Sequence, residues 1–210
     1  TANFELIRYT LTISSTDGGN VTAPGEGTFT YNANEVVDLK AVPDADYRFV
    51  NWTGDVGTIA DVNAKETTIT MNDNYTITAN FELIRYTLTI SSTDGGNVTV
   101  PGEGTFTYNA NEVVDLKAVP DTGYRFVNWT GDVGTIADVN AKETTITMNG
   151  NYTITANFER IRYTLTISST DGGNVTVPSE GTFTYDEGMV VNLKAVPDTG
   201  YRFVNWTGDV

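Results

Sequence analysis

The 210-residue chain contains no cysteine and no histidine. The first absence excludes a disulfide framework and any thiolate metal site. The second removes the commonest general base, the commonest metal ligand and every Ser–His or Cys–His nucleophile pair. Basic residues are also scarce: 12 Lys and Arg stand against 27 Asp and Glu, a net charge of −15. So acidic a chain repels nucleic-acid phosphates, and no basic patch offsets this, so no nucleic-acid partner is expected. The charge is spread along the chain rather than gathered in a tail, which suits solubility and self-repulsion. No apolar run approaches the ~18 residues of a membrane span, and there is no signal-peptide pattern. Thr1 is not an initiator methionine, so an upstream part is expected. Abundant Thr and Asn with little Lys suit a β-rich protein outside the cell.

What is present is a repeat. RYTLTISSTDGGNVT begins at Arg8, Arg85 and Arg162, a spacing of 85 − 8 = 77 residues. Residues 9–85 and 86–162 differ at five positions: Ala23/Val100, Ala45/Thr122, Asp46/Gly123, Asp73/Gly150 and Leu83/Arg160. A third copy occupies 163–210 and stops before the strands that match Glu66–Asn72 and Asn74–Phe81. Residues 1–8 read as the closing strand of a preceding copy, because TANFE at Thr1–Glu5 recurs at Thr78–Glu82 and Thr155–Glu159.

Within a copy the periodicity is two, the mark of half-buried strands. Tyr9, Leu11 and Ile13 alternate with Thr10, Thr12 and Ser14, and Phe29 and Tyr31 alternate with Thr28 and Thr30. Val37, Leu39 and Ala41 alternate with Asp38 and Lys40; Ile69, Met71, Tyr75, Ile77, Ala79 and Phe81 complete the apolar set. Asp17-Gly18-Gly19-Asn20 reads as a hairpin-type turn, and Asn72-Asp73-Asn74 reads as a turn. No segment has a helical period, and 54–66 reads as a long loop. Three swaps between copies exchange Gly for Asn or Asp: Asp46/Gly123/Gly200, Asp73/Gly150 and Asn34/Asn111/Gly188. These residue types tolerate positive φ, so each site is expected to be left-handed. TITANFELIRYTLTISS crosses the repeat boundary without Gly, Pro or a Ser-rich linker, so a strand is expected to run through a stiff junction. A unit of ~77 residues without disulfides is near the lower limit for a self-sufficient core, so neighbours are expected to support one another.

The strings YTLTISSTDGGNV, FTYNANEVVDLKAVPDTGYRFVNWTGD and ITMNGNYTITANF together resemble the divergent internalin-B-type B-repeat, a bacterial and archaeal cell-surface repeat. The resemblance covers essentially the whole chain, with Asp46 replacing a motif glycine in the first copy. It implies an all-β tandem array of β-grasp-like or sandwich-like units, rod-like in arrangement, on secreted or surface proteins. It implies no catalytic residue and no cofactor.

Candidate functional residues are few. Trp52, Trp129 and Trp206 recur in YRFVNWTGDV, as core anchors or as platforms for a sugar ring. Tyr47 and Phe49 have one parity, Val50 and Trp52 the other. Burial of Trp52 therefore requires either a bulge after Phe49 or a strand covered on both faces. Asn-x-Thr acceptor sites for glycans occur at Asn20, Asn97 and Asn174, at Asn51, Asn128 and Asn205, and at Asn74 and Asn151. Asp44, Asp46, Asp55, Asp61 and Asn63 crowd one loop region, yet they form no calcium-loop motif and Asp46 is not retained, so no metal is expected. Lys40 and Lys65 are weighed for an isopeptide bond, but the parity of Lys40 points it to solvent. An enzyme is not expected. The leading expectation is a structural repeat protein, a rigid extracellular stalk or filament. Its Thr1–Glu5 segment (Thr1, Ala2, Asn3, Phe4, Glu5) would complete another chain's last unit head to tail. The alternative is an adhesin or carbohydrate-binding surface module whose partners are glycans or a host surface.

Overall fold

The computed structural model describes Thr1–Asp209; Val210, the last residue of the third NWTGDV, lies outside the described residues. Internal contacts divide the chain into two compact units. The first holds Thr1–Leu88, Phe106–Val113 and Thr147–Asn151, and the second holds Thr89–Thr105, Val114–Ile146 and Tyr152 onward. The described residues form strands and turns, with no helix.

In the first unit the first copy supplies seven strands: β1 (Arg8–Ser15), β2 (Gly19–Ala23), β3 (Gly27–Asn32), β4 (Val36–Pro43), β5 (Tyr47–Gly54), β6 (Glu66–Thr70) and β7 (Tyr75–Leu83). They make two sheets, one ordered β3-β1-β7-β5 and the other β2-β4-β6. All pairings are antiparallel except that of β1 with β7, which aligns Leu11 with Tyr75 and Ser15 with Ala79. Period-two alternation sends Leu11, Ile13, Leu39, Ile69, Ile77 and Ala79 inward into one core shared by both sheets. Thr10, Ser14, Asp38 and Lys40 stay exposed on the opposite faces.

The same pattern recurs in the second copy as β8 (Arg85–Ser92), β9 (Gly96–Val100), β10 (Gly104–Asn109), β11 (Val113–Pro120), β12 (Tyr124–Gly131), β13 (Glu143–Thr147) and β14 (Tyr152–Arg160). Their orders are β10-β8-β14-β12 and β13-β11-β9. The third copy, within the second unit, has β15 (Arg162–Ile167) paired with β17 (Gly181–Asp186), and β16 (Gly173–Val177) paired with β18 (Lys194–Pro197).

Three local expectations change. The Asp17–Asn20 segment is not a hairpin: the chain turns at Asp17-Gly18, and β1 and β2 then lie in different sheets. Gly18 (φ 96°) lies so close under the Tyr47 ring that a Cβ there would fall 2.0 Å from it, so the corner needs glycine. Of the Gly/Asn/Asp swaps, two are left-handed: Asn34, Asn111 and Gly188 (φ 64°, 59° and 75°), and Asp46, Gly123 and Gly200 (φ 68°, 82° and 92°). Asp73 and Gly150 do not take positive φ. There the Asp73 carboxylate accepts the Asn74 N–H at 2.8 Å and holds the bend. Finally, no strand crosses the repeat boundary. β7 stops at Leu83, β8 starts at Arg85, and Ile84 between them is in neither. Its N–H donates to Asp46 O (2.7 Å) and its carbonyl accepts from Ala110 N (2.9 Å), so its backbone bonds leave the ladder and join both copies.

The tryptophan is decided by a bulge. The register of β5 on β7 shifts between Phe49 and Asn51, so Val50 turns outward while Phe49 and Trp52 both face the core. Trp52 is 1% exposed. Its backbone N–H donates to Val62 O (2.8 Å) and its indole N–H to Ala64 O (3.0 Å), which folds the 54–66 loop over it. Phe49 packs between Trp52 and Phe81, with ring centroids at 5.7 and 5.9 Å. Trp206 lacks that cover and is 37% exposed. Trp129→Ala should therefore destabilise the chain by about 3–5 kcal/mol, as large buried aromatics do. Trp206→Ala should cost much less, and urea unfolding followed by far-UV circular dichroism will compare the two.

Candidate functional site

The outward face of the sheet β3-β1-β7-β5 is a field of hydroxyls and amides. The strand register sets Thr28 beside Thr12 and Thr12 beside Thr76, and Ser14 beside Thr78 and Thr78 beside Thr53. Neighbouring hydroxyls hydrogen-bond across strands: Thr12 with Thr28 at 3.0 Å and Ser14 with Thr78 at 3.0 Å. Such cross-strand pairs stabilise a sheet modestly, and they leave this face polar. Beyond the hydroxyls, Arg48 pairs with Glu82.

The Asn51-Trp52-Thr53 site lies on this face. The buried ring turns Asn51 and Thr53 outward, and Asn80 of β7 ties them together. Asn80 Nδ2 donates to Asn51 Oδ1 (3.0 Å), Asn51 O (3.2 Å) and Thr53 Oγ1 (2.9 Å). Asn157 holds Asn128 and Thr130 in the same way. Asn80 lies far away in sequence, and only the pairing of β5 with β7 brings it to the site. Asn74 is exposed in its bend, where its Oδ1 accepts both the N–H and the hydroxyl of Thr10 (2.8 and 3.1 Å). Asn151 does the same for Thr87. Asn20, Asn97 and Asn174 are exposed on strands, not in turns; β2, which carries Asn20, is an edge strand. Asn205 is exposed in the third copy.

Two of the loop carboxylates hold backbone, and a third holds a side-chain amide. Asp55 Oδ2 accepts the Thr76 N–H (2.9 Å), Asp61 Oδ1 accepts the Asn63 N–H (2.9 Å), and Asp46 Oδ1 accepts from Asn111 Nδ2. Among the described residues no three His, Cys, Asp or Glu side chains stand close enough to hold a metal ion. Lys40 is exposed and its Nζ lies 2.9 Å from Glu66 Oε1, while Lys117 meets Glu143 at 3.0 Å. The hydrogen bond from Lys40 holds the Glu66 carboxyl below the usual carboxylate range, and Lys117 does so for Glu143. These are solvated ion pairs on a sheet face, not buried lysines beside a reactive amide.

Comparison with protein families gives a match to the divergent InlB B-repeat domain over residues 9–85, 86–162 and 163–210. The chain belongs to the divergent InlB B-repeat family. Comparison with curated proteins finds no match. Among solved structures, the Bacillus anthracis TIE protein is similar at 10% identity and a TM-score of 0.37, covering 91% of this chain and 43% of that one. The B-repeat chain thus spans less than half the length of that protein.

Two further parts of the B-repeat chain were singled out by sequence. Thr1–Glu5 lies outside any strand and is exposed throughout, with Phe4 at 96%, whereas its counterpart Phe81 is 8% exposed in the core. In the third repeat Tyr201, Phe203 and Trp206, the counterparts of Tyr47, Phe49 and Trp52, are all exposed. No helix among the described residues is long and apolar enough to cross a membrane.

Proposed function

We propose that this chain is a structural, non-catalytic segment of an extracellular or cell-surface protein, a stalk or filament lengthened by repeating one B-repeat. The observation that carries this reading is the junction. One residue, Ile84, separates the last strand of one copy from the first of the next, and both of its backbone polar groups are bonded, one to each copy. A linker so short and so fully bonded supports a stiff connection. Burial of Trp52 and Trp129 also favours structure over a sugar platform built on these rings.

Head-to-tail strand addition belongs to the same proposal. Thr1–Glu5 carries the sequence of Thr78–Glu82, which in the first copy lies between β1 and β5. The third copy exposes the aromatic side chains that such a strand covers, so the segment of one chain is suited to add to another. The eight Asn-x-Thr sites are proposed as glycan acceptors; Asn20, Asn97, Asn174 and Asn205 are all exposed.

Small-angle scattering tests the stalk: each added 77-residue unit should raise the maximum dimension by an equal step. A flexible string would instead grow with about the square root of its length. Sedimentation velocity should show mass rising with concentration, and deletion of Thr1–Glu5 should abolish that rise; a constant mass would count against strand addition. Intact mass of protein from its native source should exceed the sequence mass by whole sugar units, and agreement with the bare sequence would remove the glycan assignment.

A further inference from the structure

The copies differ at five positions between the first and second and at six between the second and third, and six of these eleven lie where copies meet. Each of the first two copies has a tail, the residue at 46 or 123 with those at 83–84 or 160–161. Each of the three has a head, the four residues 32–35, 109–112 or 186–189 that follow or end its third strand. The heads of the first two copies are identical, Asn-Ala-Asn-Glu; the third head is Asp186-Glu187-Gly188-Met189. The first tail carries Asp46 and Leu83, and the second carries Gly123 and Arg160. The tail thus changes between the first and second copies, and the head between the second and third. Each changed tail therefore faces a changed head.

The contacts show why the changes go together. At both junctions the backbone bonds are the same. In the first unit Ile84 donates to Asp46 O and accepts from Ala110 N. In the second unit Ile161 donates to Gly123 O (2.8 Å) and accepts from Glu187 N (2.9 Å). The side chains differ. At the first junction Asn111 Nδ2 donates to Asp46 Oδ1. At the second, Gly123 and Gly188 have lost both of those side chains, and Asp186 takes over. It accepts Arg160 Nη1 at Oδ2 across the junction, and Arg162 Nε at Oδ1 from the neighbouring strand of its own sheet, each at 2.9 Å. The Arg160 guanidinium also lies over the Tyr124 ring, 5.2 Å from its centroid. An amide–carboxylate lock is thus replaced by an arginine–carboxylate lock, with Arg162 holding the carboxylate from its own sheet.

We infer that head and tail form an interaction surface of two matched types, which selects the order in which repeats adjoin. The partner of an Arg160-type tail is a B-repeat with an acidic Asp186-type head. The partner of an Asp46-type tail is a repeat with an Asn-Ala-Asn head. Exposed ion pairs add little stability, so the device acts through mismatch. An Asp46-type tail set against Asp186 and Glu187 loses its amide donor and meets carboxylates of like charge. An Arg160-type tail set against Asn109 loses its carboxylate partner. This inference requires only that repeats adjoin, so it stands apart from the stalk reading.

The test uses the full chain, spin-labelled through D38C and T107C, with no natural cysteine to interfere. Double electron–electron resonance reads the distance distribution across the first junction, and thermal melting is read alongside. Three variants are compared with the parent: the tail conversion D46G/L83R, the head conversion N109D/A110E/N111G/E112M, and the two combined. Every introduced residue already occupies the matching position of a later copy, and Arg85 and Tyr47 are in place to complete the new lock. Either half alone should broaden the distribution and lower the melting midpoint, and the combination should recover both. Half-converted chains as narrow and as stable as the parent would overturn the inference, as would a combined chain no better than the halves.

Discussion

The parallel pairing of β1 with β7 is the constraint on which the rest depends. It joins the first strand of a repeat to its last, with Leu11 opposite Tyr75, so loop closure spans almost the whole unit. Because β7 lies between β1 and β5, the four-stranded sheet stays in two parts until the last strand arrives. Ile77, Ala79 and Phe81 enter the core on that strand. The third copy, which has β15 to β18 but no counterpart of β7 within the chain, leaves Phe203 and Trp206 exposed.

The bulge in β5 follows from the same pairing. Phe49 and Trp52 are an odd number of residues apart, so a regular strand would send one of them to solvent. One extra residue, Val50, turns outward and lets both aromatics reach the core that β7 closes. The 54–66 loop then bonds to the tryptophan through its backbone and its indole, which satisfies the buried N–H groups. The sequon on either side of Trp52 is therefore presented outward because of a core requirement.

Much of this was legible in the sequence. Period-two alternation correctly picked out Leu11, Ile13, Leu39, Ala41, Ile77 and Phe81 as core, because half-buried strands leave that signature directly. The Gly/Asn/Asp exchanges correctly marked residues 34 and 46 as left-handed, since few residues tolerate positive φ. The exchange at Asp73 misled because an aspartate also serves a bend by accepting a backbone N–H. The Asp17-Gly18 turn looked like a hairpin because turn residues show that a chain reverses, not which sheet receives it. β2 went unread because five residues beside two glycines carry too short an alternation.

The sequence by itself determined the all-β class, the 77-residue period, the inward-facing residues and the absence of thiol and imidazole chemistry. All of these follow from residue identity and local spacing. Tertiary structure decided what depends on residues distant in the chain. It made β7 a central strand, chose a bulge to bury Trp52, and brought Asn80 against Asn51. It also placed Asp186 between Arg160 and Arg162. None of these has a local signature, because each is a pairing between strands or copies whose partners are fixed only when the sheets close.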